Sequence, residues 1–109
     1  MKQKLTGLDR IFIPEIIQKA EIEGNMLEII ALKEINEKIG IRSDEFDEYG
    51  LRSNINGGVI WDPKKIIKEK EFDLTKPQVE VLKQAVENIN KKKKVKLSLI
   101  DTCLKIQKM

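Results

Sequence analysis

Lys91-Lys92-Lys93-Lys94, with Lys96 just beyond, is the densest single-sign charge in the chain. Five ammonium groups in so short a stretch could track a phosphate backbone, because each Lys–phosphate contact releases counterions. No aromatic residue or Arg interleaves with them to stack on bases or to read base edges. Cations at a helix C-terminus also complement the helix dipole and keep the connection solvated. The preferred reading of the run is a solvated helix end, with nucleic-acid contact as the alternative.

Carboxylates are the second chemically able group, at Asp44/Asp47/Glu48, Glu15, Glu21/Glu23 and Asp62. Acid–base catalysis or a hard-metal site needs two of them to converge in a cleft. Scattered acids are expected where charged residues make up 36% of the chain, against about 25% in an average soluble protein. The chain has no His, and with it go the commonest general base, the commonest zinc ligand and every Ser-His or Cys-His nucleophile pair. Asn56-Gly57-Gly58 makes a turn and does not open a helix, so it is no phosphate cradle. The expectation is a protein without catalytic residues, metal or cofactor, and a small carboxylate-based enzyme is the weakest rival.

The remaining candidates form a surface. Arg52, Asn54 and Asn56 alternate with Leu51, Ser53 and Ile55 ahead of Gly57-Gly58, after which Val59-Ile60-Trp61 returns. The three polar side chains are neither core formers nor good strand formers. A row of them facing away from Val59 and Trp61 is a candidate partner-binding face, with a free strand edge beside it. Trp61, the only Trp, is read first as core that seals the hairpin against a helix and second as an interface anchor.

The elements that must hold these groups are legible from caps and periodicity. Thr6/Asp9, Asn25/Glu28, Thr75/Gln78 and Ser98/Asp101 each place a small polar residue three positions ahead of an acid or Gln, the signature of a helix start. The first helix is expected from Leu8 to Ala20, kinked or restarted at Pro14. The second, Met26 to Ile39, carries Leu27, Ile30, Ala31, Ile35 and Ile39 on one stripe, widened by Ile29 and Leu32, which marks it as the central buried helix. Gly40 ends it, and a short helix follows from Asp44 to Tyr49, closed by Gly50. The period then drops to two for the hairpin, with a third strand from Glu69 to Leu74. A helix from Lys76 to Lys92 carries Val79, Leu82, Val86 and Ile89, and the last helix opens at Ser98 with Leu99, Ile100, Cys103, Leu104 and Ile106.

The fold class expected is α+β: a single small domain over 1–109, mostly helical, with a central β-hairpin that a third strand would extend. Three helices followed by a hairpin imitate a winged helix, but its reading helix would be the acidic Asp44 to Tyr49, and acids facing phosphates are costly. The net charge is +3, and Cys103 stands alone, so no intrachain disulfide forms. Lys2 and Lys4 precede no apolar stretch of the kind a signal peptide has, and no run approaches the roughly 18 apolar residues of a membrane span. The expected location is the cytoplasm.

The order Glu23-Gly24-Asn25 and an aliphatic helix, a hairpin ending in Val59-Ile60-Trp61-Asp62, Glu69-Lys70-Glu71-Phe72, and Leu97-Ser98-Leu99-Ile100-Asp101-Thr102 after a Lys-rich helix end resembles the short uncharacterised proteins encoded by phages and prophages of low-GC bacteria. The resemblance implies an accessory or structural role in a bacterial host and brings no catalytic motif. The function expected is therefore non-enzymatic: binding a partner protein or self-association.

Overall fold

Thr6, Asn25 and Thr75 sit in extended backbone and close complete capping boxes. The Thr6 hydroxyl accepts from the Asp9 N–H at 3.1 Å, and the Asp9 carboxylate accepts from the Thr6 N–H at 2.9 Å. Asn25 with Glu28 and Thr75 with Gln78 repeat the exchange. In the computed structural model, which describes residues 1–109, these boxes open α1 (Gly7–Ala20), α2 (Met26–Ile39) and α4 (Lys76–Lys91).

The fourth start differs. Ser98 caps nothing; a 3-10 turn at Leu97–Leu99 leads into α5 (Ile100–Gln107). The tighter turn puts Leu99 into the core beside Cys103 and Ile106, and burying a Leu is worth about as much as or more than a cap. Pro14 does not divide α1, which runs through it as one helix with the Arg10 carbonyl deprived of its usual N–H partner.

Between α2 and α4 the chain makes a 3-10 turn at Ser43–Glu45 and the single-turn α3 (Phe46–Tyr49). The hairpin follows, with two-residue strands β2 (Arg52–Ser53) and β3 (Val59–Ile60), and then β4 (Glu69–Asp73). The third strand exists, yet it does not extend the hairpin. It pairs antiparallel with β1 (Lys2–Thr6), a strand the sequence reading passed over. The register sets Lys2 against Asp73 and Lys4 against Glu71, opposite charges that favour the pairing. Only Leu5 of β1 is buried, so its sequence lacks the alternation that marks a strand. The fold is thus α+β, with two separate two-stranded sheets.

The core is one cluster of 18 buried residues. Its central helix is α4, which packs on α1, α2 and α5 and contributes Val79, Val81, Leu82, Ala85, Val86 and Ile89. The expectation for α2 is overturned. Ala31, Leu32, Ile35 and Ile39 face the core, but Met26 and Leu27 are 79% and 77% exposed and Ile29 and Ile30 are exposed as well. One face of α2 is enough to cover α4, and no second layer lies outside it. No helix is long and apolar enough to cross a membrane.

Candidate functional site

The hairpin is shaped by Asn54 and Gly57. The Asn54 carbonyl accepts from the Gly57 N–H at 3.0 Å, and the Asn54 N–H donates to the Gly58 carbonyl at 2.8 Å. Gly57 takes a φ of +80°, a left-handed conformation glycine adopts without strain. The loop is therefore the three residues Ile55-Asn56-Gly57, longer than a two-residue turn at Gly57-Gly58. The Asn54 side chain is used internally, accepting from the Asn56 N–H at 3.3 Å. Of the expected polar row, the side chains of Arg52 and Asn56 are exposed and make no hydrogen bond or ion pair, while Asn54 holds the turn.

The hairpin has no buried face. Every residue from Arg52 to Ile60 is exposed, including Val59 at 60% and Ile60, and Ile55 at the tip is fully exposed. The expected division into a polar side and a Val59/Trp61 core side fails because the strands are too short to lie across the body. Trp61 is outside the core cluster. It is half-buried at the hairpin base, edge-on to Phe12 with ring centroids 6.4 Å apart. That leaves part of the indole available to a partner.

The base is anchored by backbone. Gly50 has a φ of +66°, and a Cβ there would lie 2.6 Å from the Asp62 Cβ, so only glycine fits. The Leu51 N–H donates to the Phe46 carbonyl at 2.8 Å, and the Asp62 carboxylate accepts from the Lys64 N–H at 2.8 Å. Between α1, α3 and the hairpin opens a groove of about 370 Å³, lined by Ile11, Phe46, Leu51 and Val59 with Arg52 and Ser53 at its polar edge.

What holds α3 beneath this groove is a charge network the sequence reading missed. Arg10, 4% exposed, spends all five N–H donors. Nε donates to the Ile39 carbonyl, Nη2 to the Gly40 carbonyl, and Nη1 to the Tyr49 hydroxyl. Both Nη atoms also fork onto the Glu45 carboxylate at 2.7 and 2.8 Å. Lys70 from β4 donates to Glu45 and Glu48, each at 2.7 Å, and the Phe72 ring lies 4.9 Å from the guanidinium. The Arg10 fork, aided by Lys70, holds Glu45 far below the usual carboxylate range despite partial burial. Its neighbour Asp9, equally buried, faces the other way, with Oδ1 accepting from the Thr102 hydroxyl at 2.7 Å and Oδ2 from Lys105. A signal existed: Asp9 shares the helical stripe of Ile13, Ile16 and Ala20, an acid on a core face.

The acidic candidates do not converge. Glu48 is taken by Lys70 and Lys68, Glu15 lies near Lys19 and Lys96, and Glu21 lies near Lys94. Asp44, Asp47 and Glu23 are exposed, Asp62 serves its turn, and no three acids or cysteines gather as metal ligands would.

The basic run docks back onto the protein. Lys92 Nζ donates to the Ala20 carbonyl at 2.9 Å, at the C-terminal end of α1, and Lys94 and Lys96 face Glu21 and Glu15. Lys91 and Lys93 extend into solvent. Lys93 has a φ of +56°. Its N–H bonds the Asn90 carbonyl and the Lys94 N–H bonds the Ile89 carbonyl, the Schellman pattern that closes a helix and that favours glycine. Lys93→Gly is therefore expected to raise stability by about 1 kcal/mol, read as a higher urea midpoint; a lower midpoint would show that the left-handed turn is not strained here.

Set against known proteins, the chain matches no protein-family model, no curated protein and no solved structure. The functional reading rests on geometry.

Proposed function

We propose that this protein is a non-enzymatic binding module that captures another protein chain with the hairpin and the groove at its base. One observation carries this: Ile55, an aliphatic side chain, stands fully exposed at the tip of a projecting hairpin. Loop tips favour Gly, Asn, Asp and Ser for backbone reasons, so Ile at this position does nothing for the turn and costs solubility. Val59, Ile60 and Phe46 are exposed as well, and apolar side chains left in water around one element mark interaction sites. Arg52, Asn56 and the open edge of Trp61 supply a polar and aromatic rim. The role implied by the resemblance to phage-encoded proteins, an accessory acting on a host or phage protein, suits such a module.

The test is retention of partners from a bacterial lysate by the immobilised chain, compared with an Ile55→Asp, Asn56→Lys variant. Neither side chain touches the core, so the melting curve is expected to stay unchanged while retention drops at least 10-fold, the loss of one buried aliphatic anchor. Equal retention by an intact variant would remove the hairpin from the binding surface.

A further inference from the structure

Resting on the hairpin reading above, we infer that the chain in the groove is a second copy of this protein, the two copies exchanging hairpin tips across a two-fold axis. The tip and the groove match. The tip presents Ile55 between uncharged neighbours, Asn54, Asn56, Gly57 and Gly58, so its insertion strips no charge of water. The groove is apolar on the sides formed by Ile11, Phe46, Leu51 and Val59, and its about 370 Å³ accommodates an aliphatic side chain with its flanking backbone. Arg52 at the groove edge is a cation with no partner in the chain, suited to an Asn56 amide oxygen.

The geometry of a hairpin makes this exchange reciprocal. Ile55 opens the loop two residues beyond the end of β2, whose Arg52 and Ser53 edge the groove, so tip and groove edge belong to one short hairpin. Two hairpins laid antiparallel place each tip at the other's base, with one spacing serving both contacts. The neighbouring edge is also open. Natural sheets block free edges with Lys and other charges, and the β1–β4 sheet does so: β1 carries Lys2 and Lys4, and Lys38 Nζ donates to the Asp73 carbonyl at 2.5 Å. In contrast Gly58-Val59-Ile60 carries no charge. Because tip and groove satisfy each other on both copies, the assembly closes as a dimer and does not extend into a fibre. Two tips and two short edges make a small interface, so the dimer is a transient one.

Sedimentation velocity up to about 1 mM protein, a range that reports weak association, tests this. Wild type is expected to show concentration-dependent dimer. Ile55→Asp, which removes both insertions, is expected to weaken it about 100-fold, at about 10-fold per buried aliphatic side chain. Phe46→Ser, damaging both grooves, should do the same. An equimolar mixture of the two variants keeps one intact tip and groove pair, and is expected to recover about 10-fold. A dimer unchanged by Ile55→Asp, or no gain on mixing, overturns tip exchange. A wild type that stays monomeric throughout overturns it too. If Ile55→Asp then still loses a lysate protein that wild type retains, the hairpin remains the contact surface for a different partner; if it does not, both readings fall.

Discussion

Arg10→Ala is expected to cost about 3–5 kcal/mol, the range for removing one partner of a buried ion pair. A domain of this kind holds in total only about 5–15 kcal/mol, so the variant should unfold at a much lower urea concentration or fail to fold. The magnitude follows from what is left behind. Glu45 would keep its charge with only Lys70 and the Arg42 N–H to meet it, and the carbonyls of Ile39 and Gly40 would lose the donors that hold the C-terminal end of α2. Tyr49, wholly buried, would keep its hydroxyl without the guanidinium. Arg10→Lys should recover little, since an ammonium cannot fork onto a carboxylate while reaching two carbonyls. The paired change Arg10→Met, Glu45→Leu should recover more than either partner's loss alone, because it removes both charges together. Urea titrations with unchanged slopes measure all of these. A loss below about 1 kcal/mol for Arg10→Ala, the worth of an exposed ion pair, would show that the network does not hold α3 in place.

The second large effect is acid sensitivity. Burial pushes the Asp9 carboxyl upward, but the bonds from Lys105, the Thr6 N–H and Thr102 outweigh it and hold it below its ordinary value. Glu45 is lowered further. Both groups are depressed in the folded state, so their stabilisation is complete above the unfolded carboxylate values of about 4. It is lost as pH falls through their lower folded values. The urea midpoint should hold from neutrality to about pH 5 and then fall. Asp9→Asn should cost about 2 kcal/mol near neutrality, the worth of a hydrogen bond to a charged group, and should flatten the acid limb. Because Asp9 ties α5 to the start of α1 through Thr102 and Lys105, the same variant should raise the reactivity of Cys103, which is otherwise buried in the core. An acid limb as steep in Asp9→Asn as in wild type would assign the sensitivity elsewhere.

The parts of this molecule that could be read beforehand are those controlled by neighbours in the chain. Capping boxes at Thr6, Asn25 and Thr75 involve residues three apart, and the Val79, Leu82, Val86 and Ile89 stripe repeats at the helical period. Each declares itself locally. Gly50 was legible as a stop for the same reason. The candidate surface was half legible. The hairpin and its Asn-Gly turn were visible, while Ile55 was read as one member of an alternating strand and not as an exposed tip.

The rest needed partners far away in sequence. β1 is a strand only because β4 returns beside it some 70 residues later, and five polar-rich residues with one buried Leu carry no local sign of that pairing. Arg10 looks like an ordinary surface charge, and the core-face position of Asp9 names no partner, until Glu45, Lys70, Thr102 and Lys105 are brought to them. Local sequence alone sufficed for the starts of α1, α2 and α4, for the helical period of α4 and for the α+β class. Which helix became central, which apolar residues stayed in water and where the buried charges found partners were decided only in the tertiary structure. Helix starts and periods depend on bonds within one or two turns, whereas burial depends on which surfaces remain once α4 has been covered.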